Sequence, residues 1–208
     1  GKSKDPISLQ IEKYHKLLLD THIDFIKAGA EVIVTTTFTT RQIRLKDNKV
    51  EDKFEYLNMK AGEIAQQAKK IYPNILIAGG LPPQYLTYEA DTRSENEIRD
   101  DFYHQAKILN PYVDFFYLDV VSSGREIEIA SNIVEKLGKK VVVGIHLKKN
   151  CKLPSGENVQ SIIEKFQCNS WIGIVFACVS PEIVERTSDF FSDLKLPFGF
   201  KVNLWGIE

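Results

Sequence analysis

Glu31-Val32-Ile33-Val34-Thr35-Thr36-Thr37-Phe38 is an unbroken run of mostly β-branched residues. Such side chains crowd the turns of a helix and pack well on a pleated surface, so the run predicts a buried strand. Upstream, Leu17, Leu18, His22, Phe25 and Ile26 fall near one face of a helix predicted over about Ile7 to Lys27. Gly29 stands where a helix C-cap belongs. Helix then strand is therefore the first unit.

The same alternation continues downstream. A polar helical stretch runs from about Val50 to Ile71, and Pro73 ends it. Ile75-Leu76-Ile77-Ala78 predicts the next strand, closed by Gly79-Gly80-Leu81-Pro82-Pro83. Ser94-Glu95-Asn96-Glu97 has the form of a capping box, and its helix must stop before Pro111. Val113 to Val121 reads as a strand, and Ser123-Gly124-Arg125-Glu126 as a second capping box. The helix it opens runs to Leu137, with Gly138 as the stop. Lys140–Leu147 is a strand, Glu157–Phe166 a short helix and Trp171–Cys178 a strand. Ser180-Pro181 pairs an N-cap with proline at the first helical position, opening a helix to about Leu194. A last strand spans about Phe198 to Asn203.

Strict alternation of strands and helices implies a parallel sheet with helices on its faces. A Rossmann sheet would show Gly-x-Gly-x-x-Gly after a strand, and Gly79-Gly80-Leu81-Pro82-Pro83 is not that turn. Its prolines lack the amide donors that cradle phosphate. The expected class is α/β, a (β/α)₈ TIM barrel with six of eight strands evident. One domain over residues 1–208 is expected, incomplete at both ends, since six strands cannot close at the usual shear and tilt.

Composition narrows the function classes. A hydrophobic content of 43% and a charged content of 26% suit an ordinary globular protein. A formal net charge of −1 argues against nucleic acid and anionic membranes as partners. The basic clusters Lys136–Lys140 and Lys148–Lys152 read as solvated faces. No apolar run reaches the roughly 18 residues of a spanning helix, and a cytoplasmic location is expected. Cys151, Cys168 and Cys178 do not form a disulfide framework, and no CxxC or HExxH motif offers a local metal site.

In an α/β barrel the reacting groups gather at the carboxyl ends of the strands. Those ends carry Thr35, Thr36 and Thr37; Gly79 and Gly80; Asp119 with Ser122 and Ser123; His146; Cys178; and Asn203. A carboxylate after Phe115-Phe116-Tyr117-Leu118 is costly unless paired, so Asp119 either binds an ammonium group or caps the next helix. Cys178 is either a small core hydrophobe or a reactive thiol.

These residues resemble a known family. His22-Ile23-Asp24-Phe25-Ile26-Lys27-Ala28-Gly29-Ala30-Glu31-Val32-Ile33, ending in Thr35-Thr36-Thr37-Phe38, is similar to the entry into the second barrel strand of the homocysteine S-methyltransferases. Gly79-Gly80-Leu81-Pro82-Pro83 with Tyr88 resembles that family's Gly-Ser-Leu-Pro-Pro segment. Asp119-Val120-Val121-Ser122-Ser123 resembles a Glu-Thr-Met-Ser-Ser-like strand end, and Ala177-Cys178-Val179-Ser180-Pro181-Glu182 an Asn-Cys-x-x-Pro-Glu segment. The likeness runs in order from about residue 17 to 205. It implies methyl transfer to the sulfur of homocysteine, giving methionine, with zinc as cofactor and a small methyl donor as second substrate. It further implies Cys178 as one of three cysteine ligands, the other two being a vicinal pair absent from this chain. Asp119 would hold the substrate's amino group, and Thr36, Thr37, Gly80, Ser122 and Asn203 would line the pocket. Thr36, Gly80, Asp119 and Ala177 depart from the family's asparagine, serine, glutamate and asparagine.

A sulfonium or quaternary ammonium donor would favour aromatic contacts, for which Phe38, Tyr85 and Trp205 are candidates. Two other readings stand beside this one. The first is a catalytically eroded barrel that binds a small amino acid or serves as an interaction scaffold. The second is a different barrel enzyme, such as a lyase acting through His146.

Overall fold

The β-branched run gives a short strand, β1 (Val32–Val34), in the computed structural model, which describes residues 14–191 and 195–203. Thr35 still donates its N–H to Ala78 O, but Thr37 N–H folds back on Thr35 O at 2.8 Å. That tight turn ends the strand earlier than the sequence suggests. Before it lies α1 (His15–Lys27), with Gly29 at φ 106°, a left-handed exit that favours glycine. Residues 7–13 of the expected helix lie outside the described residues.

After β1 come α2 (Gln42–Asp47) and α3 (Phe54–Ile71), then β2 (Leu76–Leu81) and α4 (Glu95–Leu109). The chain continues through β3 (Phe115–Val121), α5 (Gly124–Lys136), β4 (Val141–Ile145) and α6 (Val159–Phe166). It ends in β5 (Trp171–Val179), α7 (Pro181–Phe191) and β6 (Phe198–Val202). The expected capping box at Ser94 is complete: its side chain accepts from Glu97 N–H, and the Glu97 carboxylate accepts from Ser94 N–H. At Ser123 only half of the box forms. Ser123 Oγ accepts from Glu126 N–H, but the Glu126 carboxylate takes the Ser123 hydroxyl.

Two readings are corrected. The stretch Gly79-Gly80-Leu81 is strand, not the loop that closes one. A Cβ on Gly79 would lie 2.7 Å from the Phe116 ring, so glycine here serves close packing between neighbouring strands. The helix expected from Val50 begins as a 3₁₀ turn at Glu51–Lys53 and becomes α-helical at Phe54.

Among the described residues all six strands are parallel, and their order in the sheet is β1-β2-β3-β4-β5-β6. A doubly wound sheet reverses direction at a switch point; this one never does. Right-handed crossovers in one direction place the helices on one face. Ile33, Ile77, Leu81, Phe116, Leu118, Val143, Ile174 and Phe176 face those helices in a single buried cluster with Ile98, Phe102, Ile127, Ile133 and Ile162.

The other face is concave. Asp119 on β3 and Lys201 on β6 make an ion pair at 3.0 Å. Three strand spacings would separate them by roughly 14 Å in a flat sheet, with both side chains standing perpendicular to it. Their contact therefore requires a curl. Connections at the two ends of the sheet also differ. Helix-to-strand links are four residues each at 28–31, 72–75, 137–140 and 167–170 and five at 110–114, whereas strand-to-helix segments vary from one residue at 180 and two at 122–123 to the long stretches 82–94 and 146–158.

Candidate functional site

The carboxyl ends of β3 and β5 are built alike. Both carry a register shift, between Leu118 and Val121 and between Ala177 and Val179. Within each shift sits a residue with positive φ, Val120 at 52° and Cys178 at 55°. A β-branched residue in the left-handed region is strained, and bulges re-aim side chains next to sites. Cys178 consequently lines a hollow of about 370 Å³ with Tyr88, His146, Lys148, Lys149, Ser180 and others.

Tyr88 ties this hollow together. Its ring lies 4.6 Å from the His146 ring, and it lines the hollow beside Cys178. Desolvation first, then the neighbouring Cys178 and the Asp119 charge, push the Tyr88 hydroxyl up to about 12. His146 is buried, and desolvation lowers its pKa, which favours the neutral imidazole. Its Nδ1 stands 3.3 Å from Ala177 O. A carbonyl only accepts, so Nδ1 carries the hydrogen and Nε2 the lone pair.

Asp119 lies on the concave side of β3. Tyr117 donates its hydroxyl to Oδ1 at 3.0 Å, and Lys201 Nζ reaches Oδ1 at 3.0 Å and Oδ2 at 3.1 Å. Burial, then the Asp119 charge and bond, hold the Tyr117 hydroxyl protonated far above its ordinary range. Its ring lies against Gly144, the neighbouring concave position on β4.

The threonine turn forms a second group. Thr37 donates its hydroxyl to Gly80 O at 2.6 Å, and Gly80 N–H donates to Thr35 Oγ1 at 2.9 Å. Thr37 and Gly80 thus join the ends of β1 and β2, while the Thr36 Oγ1 hydroxyl is buried with no partner. Ser122 Oγ is likewise buried without one. Asn203 follows β6, with its N–H on Val179 O at 2.9 Å and its side chain half-buried. Asp119 and Cys178 therefore stand at the same rim, Thr37 and Gly80 form a separate stitch, and Thr36 and Ser122 keep buried hydroxyls without partners. Phe38 and Tyr85 already carry guanidinium groups, from Arg41 at 5.2 Å and Arg93 at 4.9 Å. Trp205 lies outside the described residues.

Lys201 and Tyr117 were not singled out by sequence. The available signal was period-2 alternation, which puts Lys201 on the concave face of an otherwise apolar strand.

Glu126 sits behind the rim, fully buried. Its Oε2 takes the Ser123 hydroxyl at 2.6 Å, and Oε1 has no partner. Burial raises its pKa from 4.5 to about 7. The folded state thus holds a proton that the unfolded chain releases near 4.5. That stabilisation is complete below 4.5 and is lost as pH rises through 7. Glu126→Gln removes this dependence. Between pH 4.5 and 7.5, denaturant titrations of wild type should lose roughly 3 kcal/mol more than those of the variant; parallel curves would disprove the buried proton.

A catalytic zinc takes three protein ligands and keeps an open position. Cys178 is one candidate thiolate, but among the described residues no cluster of three His, Cys, Asp or Glu side chains could hold a metal. The described residues by themselves do not fit a complete zinc centre. Also among them, no helix is long and apolar enough to cross a membrane.

Consecutive parallel strands, one-sided helices and polar groups at the carboxyl rim define a curled (β/α) half-barrel of the TIM-barrel kind. The chain belongs to the homocysteine S-methyltransferase family, which it matches over residues 3–204. Among solved structures it is similar to the metallated form of the homocysteine methyltransferase MmuM from Escherichia coli, with a TM-score of 0.84 and 17% identity. That match covers 99% of this chain and 78% of the other. The apo form of the same enzyme gives a TM-score of 0.75 at 15% identity, covering 97% and 76%. No curated protein sequence matches.

Proposed function

We propose that this domain transfers a methyl group from a small sulfonium or quaternary ammonium donor to the sulfur of L-homocysteine, giving methionine. The observation that carries the reading is that Asp119, on the concave face of β3, and Cys178, in the hollow at the end of β5, stand at the carboxyl rim of a fold whose family is defined by this acceptor. Asp119 takes the amino group. Thr36, Ser122 and Asn203 line the approach, and Thr37 with Gly80 holds the threonine turn in place. Cys178 marks the sulfur end and is the chain's candidate ligand for the zinc implied by the family. When bound, zinc would supply thiol deprotonation.

The chemistry is a displacement at carbon. The homocysteine thiol loses its proton, the thiolate lone pair forms the new S–CH₃ bond, and the donor's bonding electrons leave with a neutral thioether or amine. A free thiol has a pKa near ~8.5, so a proton acceptor raises the thiolate fraction at neutral pH. His146, with its Nε2 lone pair and its place in the Cys178 hollow, is positioned to accept that proton.

Incubation with L-homocysteine and S-methylmethionine, S-adenosylmethionine or betaine, with methionine followed by chromatography, tests the reading. Turnover is expected with one donor. Asp119→Asn should raise the KM for homocysteine about 10- to 100-fold, the scale of one charge-assisted contact. Homocysteine binding without turnover would instead identify an eroded barrel, and neither binding nor turnover would remove both readings.

A further inference from the structure

We propose that Lys201 is the carboxylate-binding half of a zwitterion clamp whose other half is Asp119, restricting the site to free α-amino acids. The clamp rests on the reading that homocysteine binds at this rim, and it names a residue and a selection rule that the reading does not contain.

Lys201 Nζ straddles both oxygens of Asp119, at 3.0 and 3.1 Å. The two partners differ in freedom. The Asp119 side chain is 13% exposed and further held by the Tyr117 hydroxyl, whereas the Lys201 side chain is 50% exposed on a flexible stem. An ammonium group therefore already occupies the carboxylate, and it is the movable member of the pair.

An amine entering the site must displace Lys201 from Asp119. If the incoming molecule carries only an amine, one ion pair is exchanged for another without net gain, and half-exposed Lys201 returns to water. If it carries only a carboxylate, taking Lys201 leaves Asp119, the more buried group, unpaired. Stranding a partly buried charge is costlier than forming an exposed ion pair is favourable. An α-amino acid avoids both outcomes. Its ammonium replaces Nζ on Asp119, its carboxylate receives Nζ, and one ion pair becomes two with every charge matched. The two groups come from β3 and β6, and the curl of the sheet brings both within reach of one α-carbon head group.

Calorimetry on the full chain separates the possibilities with three probes: L-homocysteine, 3-aminopropane-1-thiol, which lacks the carboxylate, and 4-sulfanylbutanoate, which lacks the amine. Wild type should bind L-homocysteine at least about tenfold more tightly than either fragment. Lys201→Met should weaken L-homocysteine by about tenfold while 3-aminopropane-1-thiol binds as well or better, its Asp119 partner now vacant. Lys201→Arg should restore the preference. If Lys201→Met binds L-homocysteine like wild type, or loses all three probes equally, the clamp is wrong and the methyl-transfer reading stands. If wild type binds no L-homocysteine, both fall.

Discussion

Gly144→Ala is expected to lower the unfolding free energy by about 4 kcal/mol or to prevent folding. A methyl group at this position would lie 2.2 Å from the Leu118 backbone carbonyl and 2.8 Å from the Tyr117 ring. A rotating side chain could relieve the second contact. The first is backbone of the neighbouring strand β3, and relief means prising β3 and β4 apart at the centre of the sheet. Both strands pack buried residues against the helices, including Leu118, Val143 and Ile145, so any shift is felt across the core. Tyr117 would also move, and with it the hydroxyl that holds Asp119. Chemical denaturation of purified variant and wild type measures the effect. A loss below about 1 kcal/mol would mean that the two strands are not packed this closely.

Asn58→Leu should cost a comparable amount, again about 4 kcal/mol, through stranded hydrogen bonds rather than overlap. Asn58 is fully buried on α3. Its Oδ1 accepts from Thr40 Oγ1 at 2.7 Å and Gln105 Nε2 at 3.0 Å, while Nδ2 donates to Thr40 O at 3.1 Å. Leucine keeps the volume and removes every partner. Each buried polar group left alone costs about 1–3 kcal/mol. The network continues from Gln105 to Gln84 and from Gln84 to Pro82 O, so the loops after β1 and β2 should loosen together. Hydrogen exchange over residues 35–41 and 82–94 should quicken before the strands do. Unchanged protection there would show that the network does not organise the rim.

Sequence made the frame of this fold legible because its signals are local. The run at Val32–Val34, the capping box at Ser94 and the glycine stop at Gly138 each depend on neighbours a few residues away. The helix Gln42–Asp47 was not legible, since its six residues are too few to establish a helical period. Gly79 and Gly80 misled for a different reason. Glycine in sequence suggests a turn, but here it admits the Phe116 ring and the threonine turn against a strand.

The candidate site divides along the same line. Asp119 and Cys178 stand out as polar or reactive residues at the ends of apolar runs. The partnership of Asp119 with Lys201 bridges 82 positions, and no window of sequence contains it. Likewise the bulges at Val120 and Cys178 are set by how adjacent strands pair, not by their own residue types.

The unequal links at the two ends of the sheet divide labour between tolerance and chemistry. Returns of mostly four residues at one pole keep the scaffold taut, and no group assigned to substrate lies on them. The opposite pole carries the long segments 82–94 and 146–158, which hold Tyr88 and His146. Substrate preference can thus be rewritten there by insertion or exchange, while a tag, surface tether or dye belongs on the taut pole, a full strand's length from the ligand.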